Sequence, residues 1–350
     1  NISKVIIWGG KDLLGRIEDF SWIQKINPKE LDKSLFIRTY WQLFKLSREV
    51  KYNNCNLLFV PGGSFIGKFK PYIVMNQNLL PFHFKEMNRY GWGYAKFKLL
   101  LLRFTQSFTF KKANGIIFLS DYSKEIVLKT VGSLNAITCT IPHGINSEFF
   151  INSRQHKSIE SFSPEKPFNI LYVSIIDEYK HQIKVISAVA RLRNKTGYPL
   201  SLNFVGPSYK PSLKHMKKFI NKYYSDESWI NYHGSANYSE LKGIYNKADL
   251  GVWASTCETF GMILLEKMAS QLPIACSNLN PMPEILGDGG LYFDPEKIDQ
   301  ISDSLEQLIS SSELRKNKAN IAFERSKMFS WEICADKTFS FIKKISDNSN

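Results

Sequence analysis

The second half of the chain alternates short apolar runs with amphipathic stretches of helical spacing. The apolar runs read FNILYVSII (168–176), LSLNFVG (200–206), WINYHG (229–234), ADLGVWAS (248–255) and LPIACS (272–277). One of the stretches between them is the lysine-rich segment from Ser212 to about Tyr224. Strands that alternate with helices predict βαβ units, in which helices cover both faces of a parallel sheet. Right-handed crossovers then place the functional loops at the carboxyl ends of the strands.

The first half follows the same pattern less regularly, with predicted strands near residues 4–8, 57–60, 71–75, 115–119 and 137–141. Because a strand follows Asn1 so closely, we hypothesise that one β–α unit of roughly 30 residues is missing in front of it. A polar, Ser-rich segment with two prolines, residues 151–167, is typical of an interdomain linker. We therefore predict an α/β protein whose two Rossmann-like domains, residues 1–150 and 168–330, face each other across a cleft.

Positive charge is concentrated in the first of these domains. The whole chain carries a formal net charge of +14. Residues 1–150 contain 21 Lys and Arg against 10 Asp and Glu, a balance of +11, whereas residues 151–350 contain 25 against 22, a balance of +3. The first domain is therefore expected to attract an anionic partner. Nucleic acid, an anionic membrane surface and a phosphorylated substrate all satisfy this expectation.

The cysteines and the longest apolar runs bear on the compartment. The five cysteines are scattered along the chain and show no zinc-ligand spacing, which favours reduced thiols in a cytosolic protein. No secretory signal is visible, and no apolar run approaches the ~20 residues that span a bilayer. We expect a cytoplasmic protein.

Several familiar nucleotide motifs are incomplete here. In GGSFIGKF (62–69), Gly62, Gly67 and Lys68 fit a P-loop, but Phe69 stands where a hydroxyl residue should hold Mg²⁺, and a strand follows instead of a helix. No G-x-G-x-x-G joins a strand to a helix, and no G-x-S-x-G is present. The chain also lacks a D-x-D pair, so we expect no bound metal.

The stretch ETFGMILLE (258–266) is the strongest candidate for chemistry. Glu258 lies in the loop after strand 248–255, just before a helix that begins at about Gly261. The amino end of a helix offers unpaired N–H groups to a phosphate, and a glycine there lets a ligand approach the backbone. Glu266 would lie roughly 12 Å away if all eight intervening steps were helical. This separation is too long for a hydrolytic carboxylate pair, but it suits the two ends of one extended ligand.

Each glutamate also has a structural interpretation, as a residue favoured by the helix dipole or as an exposed helical side chain. Their combination with Gly261 at a strand-to-helix junction favours function. Lys180 follows strand 168–176 and is predicted to reach the same cleft, where it would neutralise a diphosphate.

The segment ADLGVWASTCETFGMILLEKMASQLPIACSNLNPMPEILGDGGLYFDP (248–295) resembles the signature of retaining glycosyltransferases of family 4, which have the GT-B fold. Glu258 and Glu266 match the E-x7-E motif of that family. The resemblance extends to LYVSIIDEYKHQ, IPHGINSEFF and IIFLSDYSKE upstream, and to FSWEICADKTFSFI downstream. QNLLPF (77–82) is similar to a subgroup that makes bacterial O-antigen and capsule, often with mannose. The resemblance also implies that residues 331–350 form a final helix returning to the N-terminal domain.

The resemblance implies a role for each matching residue. Glu258 would contact the transferred sugar, Glu266 would bind the nucleotide ribose, and Lys180 would bind the diphosphate, so that Glu258 and Lys180 are the catalytic candidates. The donor sugar and phosphate would also contact Ser174, Thr259, Phe260 and Gly261. The acceptor side, in the N-terminal domain, would include Asn78, His143 and Gly144. Two departures are that Ser174-Ile175 replaces a Gly-Arg pair found in many members, and that the Gly-rich loop after the first strand is missing.

The implied function is transfer of a hexose, with mannose as the first candidate, from a nucleotide sugar to a saccharide or lipid-linked saccharide. The donor, for example GDP-mannose, is a substrate, and no cofactor or metal is expected. In KFKLLLLRF and FTFKK, within residues 96–112, basic residues alternate with Phe and Leu. This segment predicts either peripheral docking on an anionic membrane, at the inner face of the plasma membrane, or a buried helix whose lysines reach solvent at its edges.

Three other functions stay open on the sequence alone. A non-catalytic relative would bind the nucleotide sugar without transferring it, and a phosphorylase with the same fold would use inorganic phosphate. A nucleic-acid-binding protein would fit the net charge, although no recognition motif supports it, and we expect no nucleic-acid partner.

Overall fold

The computed structural model describes residues 2–151, 153–225 and 228–348. The strands in these residues are β1 (Val5–Trp8), β2 (Ile23–Ile26), β3 (Leu58–Val60), β4 (Tyr72–Asn76), β5 (Gly115–Phe118), β6 (Ile137–Thr140), β7 (Phe168–Val173), β8 (Leu200–Val205), β9 (Ile230–Tyr232), β10 (Leu250–Trp253), β11 (Ile274–Ser277) and β12 (Leu291–Phe293).

The helices of the same residues include several short ones. They are α1 (Lys11–Leu14), α2 (Leu35–Phe44), α3 (Leu46–Tyr52), α4 (Phe84–Asn88), α5 (Tyr94–Lys112), α6 (Asp121–Val131), α7 (Gln182–Thr196), α8 (Lys210–Tyr223), α9 (Tyr238–Lys247), α10 (Met262–Ala269), α11 (Met282–Leu286), α12 (Ile298–Ser310), α13 (Ser312–Ser326) and α14 (Trp331–Asp347).

The second half forms a six-stranded sheet in the order β12-β11-β10-β7-β8-β9, and each neighbouring pair is parallel. The adjacent inner strands β10 and β11 are buried at every position, as expected for apolar runs covered by helices on both faces. All five strands predicted in this half are present. The prediction missed β12, because its residues, LYF, stand directly between the turn-forming stretches GDGG and DP and do not extend into a longer apolar run.

The first half forms a four-stranded parallel sheet in the order β3-β4-β5-β6 and a separate parallel pair, β1 with β2. The five strands predicted here are present, and β2 was missed. Its sequence, IQKI, has only two apolar residues, and all four positions are half-buried, so it lacks the apolar run of a central strand.

The last helix, α14, packs against the first sheet although it follows the second in sequence. A Cβ added to Gly115 in β5 would lie 3.0 Å from side-chain atoms of both Phe341 and Ile345. Gly144 is packed just as closely, since an added Cβ would overlap the backbone of Ser330 and Trp331. One continuous hydrophobic core therefore joins residues of both sheets. No helix in the described parts of the chain is long and apolar enough to span a bilayer.

Candidate functional site

The site lies where the carboxyl ends of the two sheets face each other. The loop from Ala254 to Gly261 leaves the end of β10 and leads into α10. Gly261 has φ 111° and ψ 56° and is the residue before the first turn of α10. This left-handed conformation strongly favours glycine, which explains the residue chosen here. The loop therefore leads into the amino end of α10, where the leading N–H groups lack i−4 partners within the helix; that of Leu264 donates to the carbonyl of Gly261 instead.

Lys180 and Glu258 meet in this loop as an ion pair between Nζ and Oε1. Their side chains are only 5% and 16% exposed. The ammonium group of Lys180 also lies 4.2 Å from the ring centroid of Trp253 at the end of β10. Lys180 is held by a short turn, residues 178–180, in which the Asp177 side chain accepts a hydrogen bond from the backbone N–H of Glu178. Two residues 78 positions apart are thus brought together in one cation–carboxylate pair.

Glu266 has a different environment from that of Glu258. Its side chain lies inside the second domain, where Oε2 accepts a hydrogen bond of 2.7 Å from the hydroxyl of Tyr245. Burial raises the pKa of the Glu266 carboxyl, and the hydrogen bond from Tyr245 opposes this effect. The two glutamates of the motif therefore have separate partners, one at the loop and one along α10.

Lys267, which the sequence analysis did not single out, is the least expected residue of the site. It is fully buried, and its Nζ has no hydrogen-bond partner among the residues that the structure describes. Its stem passes over Gly251, and its Nζ lies 4.5 Å from the ring centroid of Trp253, the ring that Lys180 also contacts. Burial lowers the pKa of Lys267 to about 7. The only signal in the sequence was a lysine within the apolar stretch of α10.

The first domain contributes contacts to the same loop. The hydroxyl of Ser120 donates a 2.6 Å hydrogen bond to the carbonyl of Thr259, whose own hydroxyl lies 3.4 Å from the carbonyl of Gln77. The ring of His143 meets the ring of Phe260 edge-on at a centroid distance of 6.2 Å. Burial lowers the pKa of His143, so its imidazole is neutral at pH 7. Thr259 and Phe260 therefore lie between the two domains.

The other residues predicted on the acceptor side and at the phosphate have local roles. The side chain of Asn78 accepts a hydrogen bond from the N–H of Leu80, and Gly144 provides room for the start of α14. Ser174 is buried, and its hydroxyl accepts a 3.1 Å hydrogen bond from Gln182 in the first turn of α7. The ligand contacts predicted for these three residues stay predictions.

A network of polar contacts with a buried centre also joins the domains, and its members were not predicted. Arg89 donates to both carboxylate oxygens of Glu86, at 2.6 and 3.2 Å, and forms an ion pair with Glu296 of the second domain. Glu86 is 1% exposed and also accepts a hydrogen bond from the hydroxyl of Thr256. Glu86 and Arg89 are a local pair three residues apart, but Thr256 and Glu296 lie far from them in sequence, so only the packing of the two domains shows the network.

The described residues contain no group of three or more His, Cys, Asp or Glu side chains arranged to hold a metal ion. All five cysteines are free thiols.

Comparison with known proteins identifies the domain that carries the site. Residues 153–325 match the family described as glycosyl transferases group 1. This segment is a glycosyltransferase group 1 domain. It includes both glutamates of the motif, Lys180 and the buried Lys267. The predicted resemblance to glycosyltransferases is confirmed, and membership of this group supports the prediction of an enzyme.

One relative is the O-antigen chain mannosyltransferase B of Escherichia coli, which is 35% identical over 117 residues, 33% of this chain and 31% of the relative. The chain spans 31%, 61% and 48% of the lengths of the first three curated relatives that it matches. The likeness to bacterial mannosyltransferases is therefore confirmed for a part of this chain and a part of the relative.

Solved structures share the fold over nearly the whole chain. Sucrose-phosphate synthase from Thermosynechococcus elongatus has a TM-score of 0.74 at 17% identity, covering 94% of this chain and 85% of that one. Anabaena HepE in complex with UDP and glucose has a TM-score of 0.68 at 17% identity, covering 92% and 86%. The predicted GT-B fold, with two Rossmann-like domains and parallel sheets, is confirmed.

Proposed function

We propose that the protein is a retaining glycosyltransferase that moves a hexose from a nucleoside diphosphate sugar to a hydroxyl group of a saccharide or a lipid-linked saccharide. The observation that carries the proposal is the Lys180–Glu258 pair beside the amino end of α10, at the junction of the two domains. A buried cation and the amino end of a helix are complementary to a diphosphate. A carboxylate next to them is suited to accept hydrogen bonds from sugar hydroxyls.

The ion pair of Lys180 with Glu258 suggests how the donor engages this site. A diphosphate carries more negative charge than one carboxylate, so it is expected to replace Glu258 as the partner of Lys180. Glu258 is then released toward the hydroxyl groups of the transferred sugar. At the other end of the donor, Oε2 of Glu266 already accepts a hydrogen bond from the hydroxyl of Tyr245. The other oxygen, Oε1, is left to accept a hydrogen bond from a ribose hydroxyl.

In the proposed reaction the bond between the anomeric carbon and the diphosphate oxygen breaks. A bond from the same carbon to the acceptor oxygen forms on the same face of the sugar. The acceptor proton passes to the departing phosphate oxygen, so no protein nucleophile is needed. Lys180 and the N–H groups of α10 stabilise the negative charge that develops on the leaving diphosphate. The contacts of Ser120, Gln77 and His143 with the loop hold the acceptor domain against the donor.

We further propose mannose as the sugar and a surface polysaccharide, O-antigen or capsule, as the product. The support for this choice is the similarity to the Escherichia coli O-antigen chain mannosyltransferase B, together with the similarity of QNLLPF to such enzymes. GDP-mannose is then the donor to test first.

The first test is calorimetric binding of GDP, UDP, dTDP and ADP to the wild type and to Glu266→Ala. We expect one nucleotide to bind at micromolar level and the variant to lose that binding at least about tenfold, because a buried acceptor for the ribose is removed. Glu306→Ala is the matched control, since Glu306 forms a surface pair with Lys195 and its loss has little effect. If a folded protein binds none of the four nucleotides, the donor site is wrong.

Turnover then distinguishes the related functions. With the nucleotide sugar chosen by binding, we expect transfer to a saccharide acceptor and a product of the same anomeric configuration, measured by NMR. Binding without transfer to any acceptor would indicate a non-catalytic relative. Release of sugar phosphate that depends on inorganic phosphate would indicate a phosphorylase, and an inverted product would exclude the retaining mechanism.

A further inference from the structure

Helix α5 exposes a row of large apolar side chains along one face. Tyr94, Phe97, Leu101 and Phe104 are 81%, 68%, 55% and 72% exposed. Their spacing of three, four and three residues places them on a single stripe of the helix. Four large apolar side chains exposed together are unusual on the surface of a folded protein and mark a binding surface.

The opposite face of α5 attaches the helix to the first domain. The buried residues include polar ones, Lys96, Gln106 and Thr109, beside the apolar Leu99 and Phe110. Thr109 is tied to the loop before β4, since its hydroxyl accepts a 2.9 Å hydrogen bond from the N–H of Phe65. The helix is thus polar in part where it is buried and apolar where it is exposed. This arrangement does not fit the alternative of a buried helix whose lysines reach solvent at its edges.

The charges around the stripe have one sign. Helix α5 contains five Lys and Arg residues and no Asp or Glu. Lys98 is exposed beside the stripe, and Lys111 and Lys112 are exposed at the end of the helix. The last two also line a cavity of about 300 Å³ together with Lys70, Asn114 and Asn135. Helix α5 therefore carries the apolar stripe and also ends at a basic recess.

We propose that the exposed face of α5 docks on the surface of an anionic lipid bilayer. Aromatic rings and leucines enter the boundary between headgroups and acyl chains, and lysines beside them attract anionic headgroups. A second copy of the chain is a poorer partner, because pairing two α5 stripes would bring together two helices that both carry only positive charge. The inference does not depend on the transfer chemistry, so either proposal can fail without the other.

The test is sedimentation of the full chain with vesicles of phosphatidylcholine alone and with vesicles in which roughly a third of the lipid is phosphatidylglycerol. We expect the wild type to bind the anionic vesicles at least about tenfold more tightly than the neutral ones. The double variant Phe97→Ser/Phe104→Ser should lose most of this binding, since it removes two rings that would enter the bilayer. A second variant, Lys98→Gln/Lys111→Gln/Lys112→Gln, should lose the preference for anionic vesicles.

Tyr223→Ser is the matched control, because Tyr223 is a 57% exposed ring on α8, a lysine-rich helix of the second domain. It should bind vesicles as the wild type does, and thermal denaturation should show that all the variants are folded. Equal vesicle binding by the wild type and the double aromatic variant would overturn the proposal. The proposal would also be overturned if the wild type bound neither kind of vesicle. It would be overturned too if the stripe only joined two copies of the chain or bound RNA.

Discussion

The two domains depart from the usual separation of apolar interior and charged surface in opposite directions. Among the described residues, the second domain buries four charged side chains, Lys180, Glu266 and Lys267 around the end of β10 and Arg315 elsewhere, whereas the first domain buries two, Glu86 and Lys96. The first domain exposes apolar ones: among the described residues, 18 large apolar side chains are exposed up to residue 150 and 8 after it.

The difference indicates two kinds of binding. Burying a charge is costly unless a partner or ligand compensates for it, so the buried charges of the second domain are suited to a charged ligand. Removing exposed rings from water is favourable, and this requires another surface to cover them. The first domain is therefore suited to bind an apolar and anionic surface. Apart from the α5 stripe, Phe36, Tyr40 and Phe44 form a second exposed row on α2.

The largest expected effect is on stability, and it distinguishes the buried face of α5 from its exposed face. Phe110→Ala should lower the free energy of unfolding by about 3–5 kcal/mol, because the ring is fully buried and stacks on Phe82. Phe104→Ala, on the exposed stripe, should change it by no more than about 0.5 kcal/mol. Urea denaturation of both variants measures the difference, and a similar loss for the two would show that the stripe is part of the core.

The next effect tests the buried charge at the proposed donor site. Lys180→Met should lower kcat by roughly 10²–10³, because the developing charge on the diphosphate loses its cation. Lys195→Met, at an exposed pair with Glu306, should leave kcat unchanged. Steady-state turnover of a folded Lys180→Met variant at the wild-type rate would exclude Lys180 from the reaction.

The network between the domains should have a smaller effect on stability. Arg89→Ala leaves the buried carboxylate of Glu86 without its cation and should cost about 2–3 kcal/mol. This cost is at or below the range that is usual when one partner of a buried ion pair is removed, because the Arg89 side chain is 23% exposed. The control is Arg191→Ala, whose partner Asp299 is on the surface, with an expected change below about 0.5 kcal/mol. Equal denaturation midpoints for the two variants would contradict the interpretation.

The last effect has the opposite sign, because it is a gain in stability. Lys267→Met should stabilise the protein at pH 7 by about 1 kcal/mol or more, because it replaces an unpaired buried amine with an apolar side chain of similar length. The pKa of Lys267 is about 7 in the folded chain, against an ordinary value of 10.5.

Between these two pH values the unfolded chain binds the extra proton, so the wild type gains stability as the pH rises. The advantage of Lys267→Met should therefore shrink from about pH 7 toward pH 10, and denaturation curves at several pH values measure it. An advantage that does not change with pH would show that the folded-state pKa is not lowered.

The sequence by itself determined most of the fold and part of the site. Apolar runs such as ADLGVWAS and IIFLS are long enough to define central strands, whereas IQKI and LYF are too short or too polar, and β2 and β12 were missed. The spacing of Glu258, Gly261 and Glu266 placed the loop and the start of α10, because these contacts are local in the chain.

Only the tertiary structure decided which distant groups meet. Lys180 pairs with Glu258, Glu266 with Tyr245, and Arg89 with Glu296 as well as with its neighbour Glu86. The first three partners come from other elements and match no local pattern, since a long-range contact depends on how the sheets pack. Burial of Lys267 and exposure of Phe97 are decided in the same way. The sequence shows that α5 has apolar residues on all sides, but only packing against the first domain selects the face that remains uncovered.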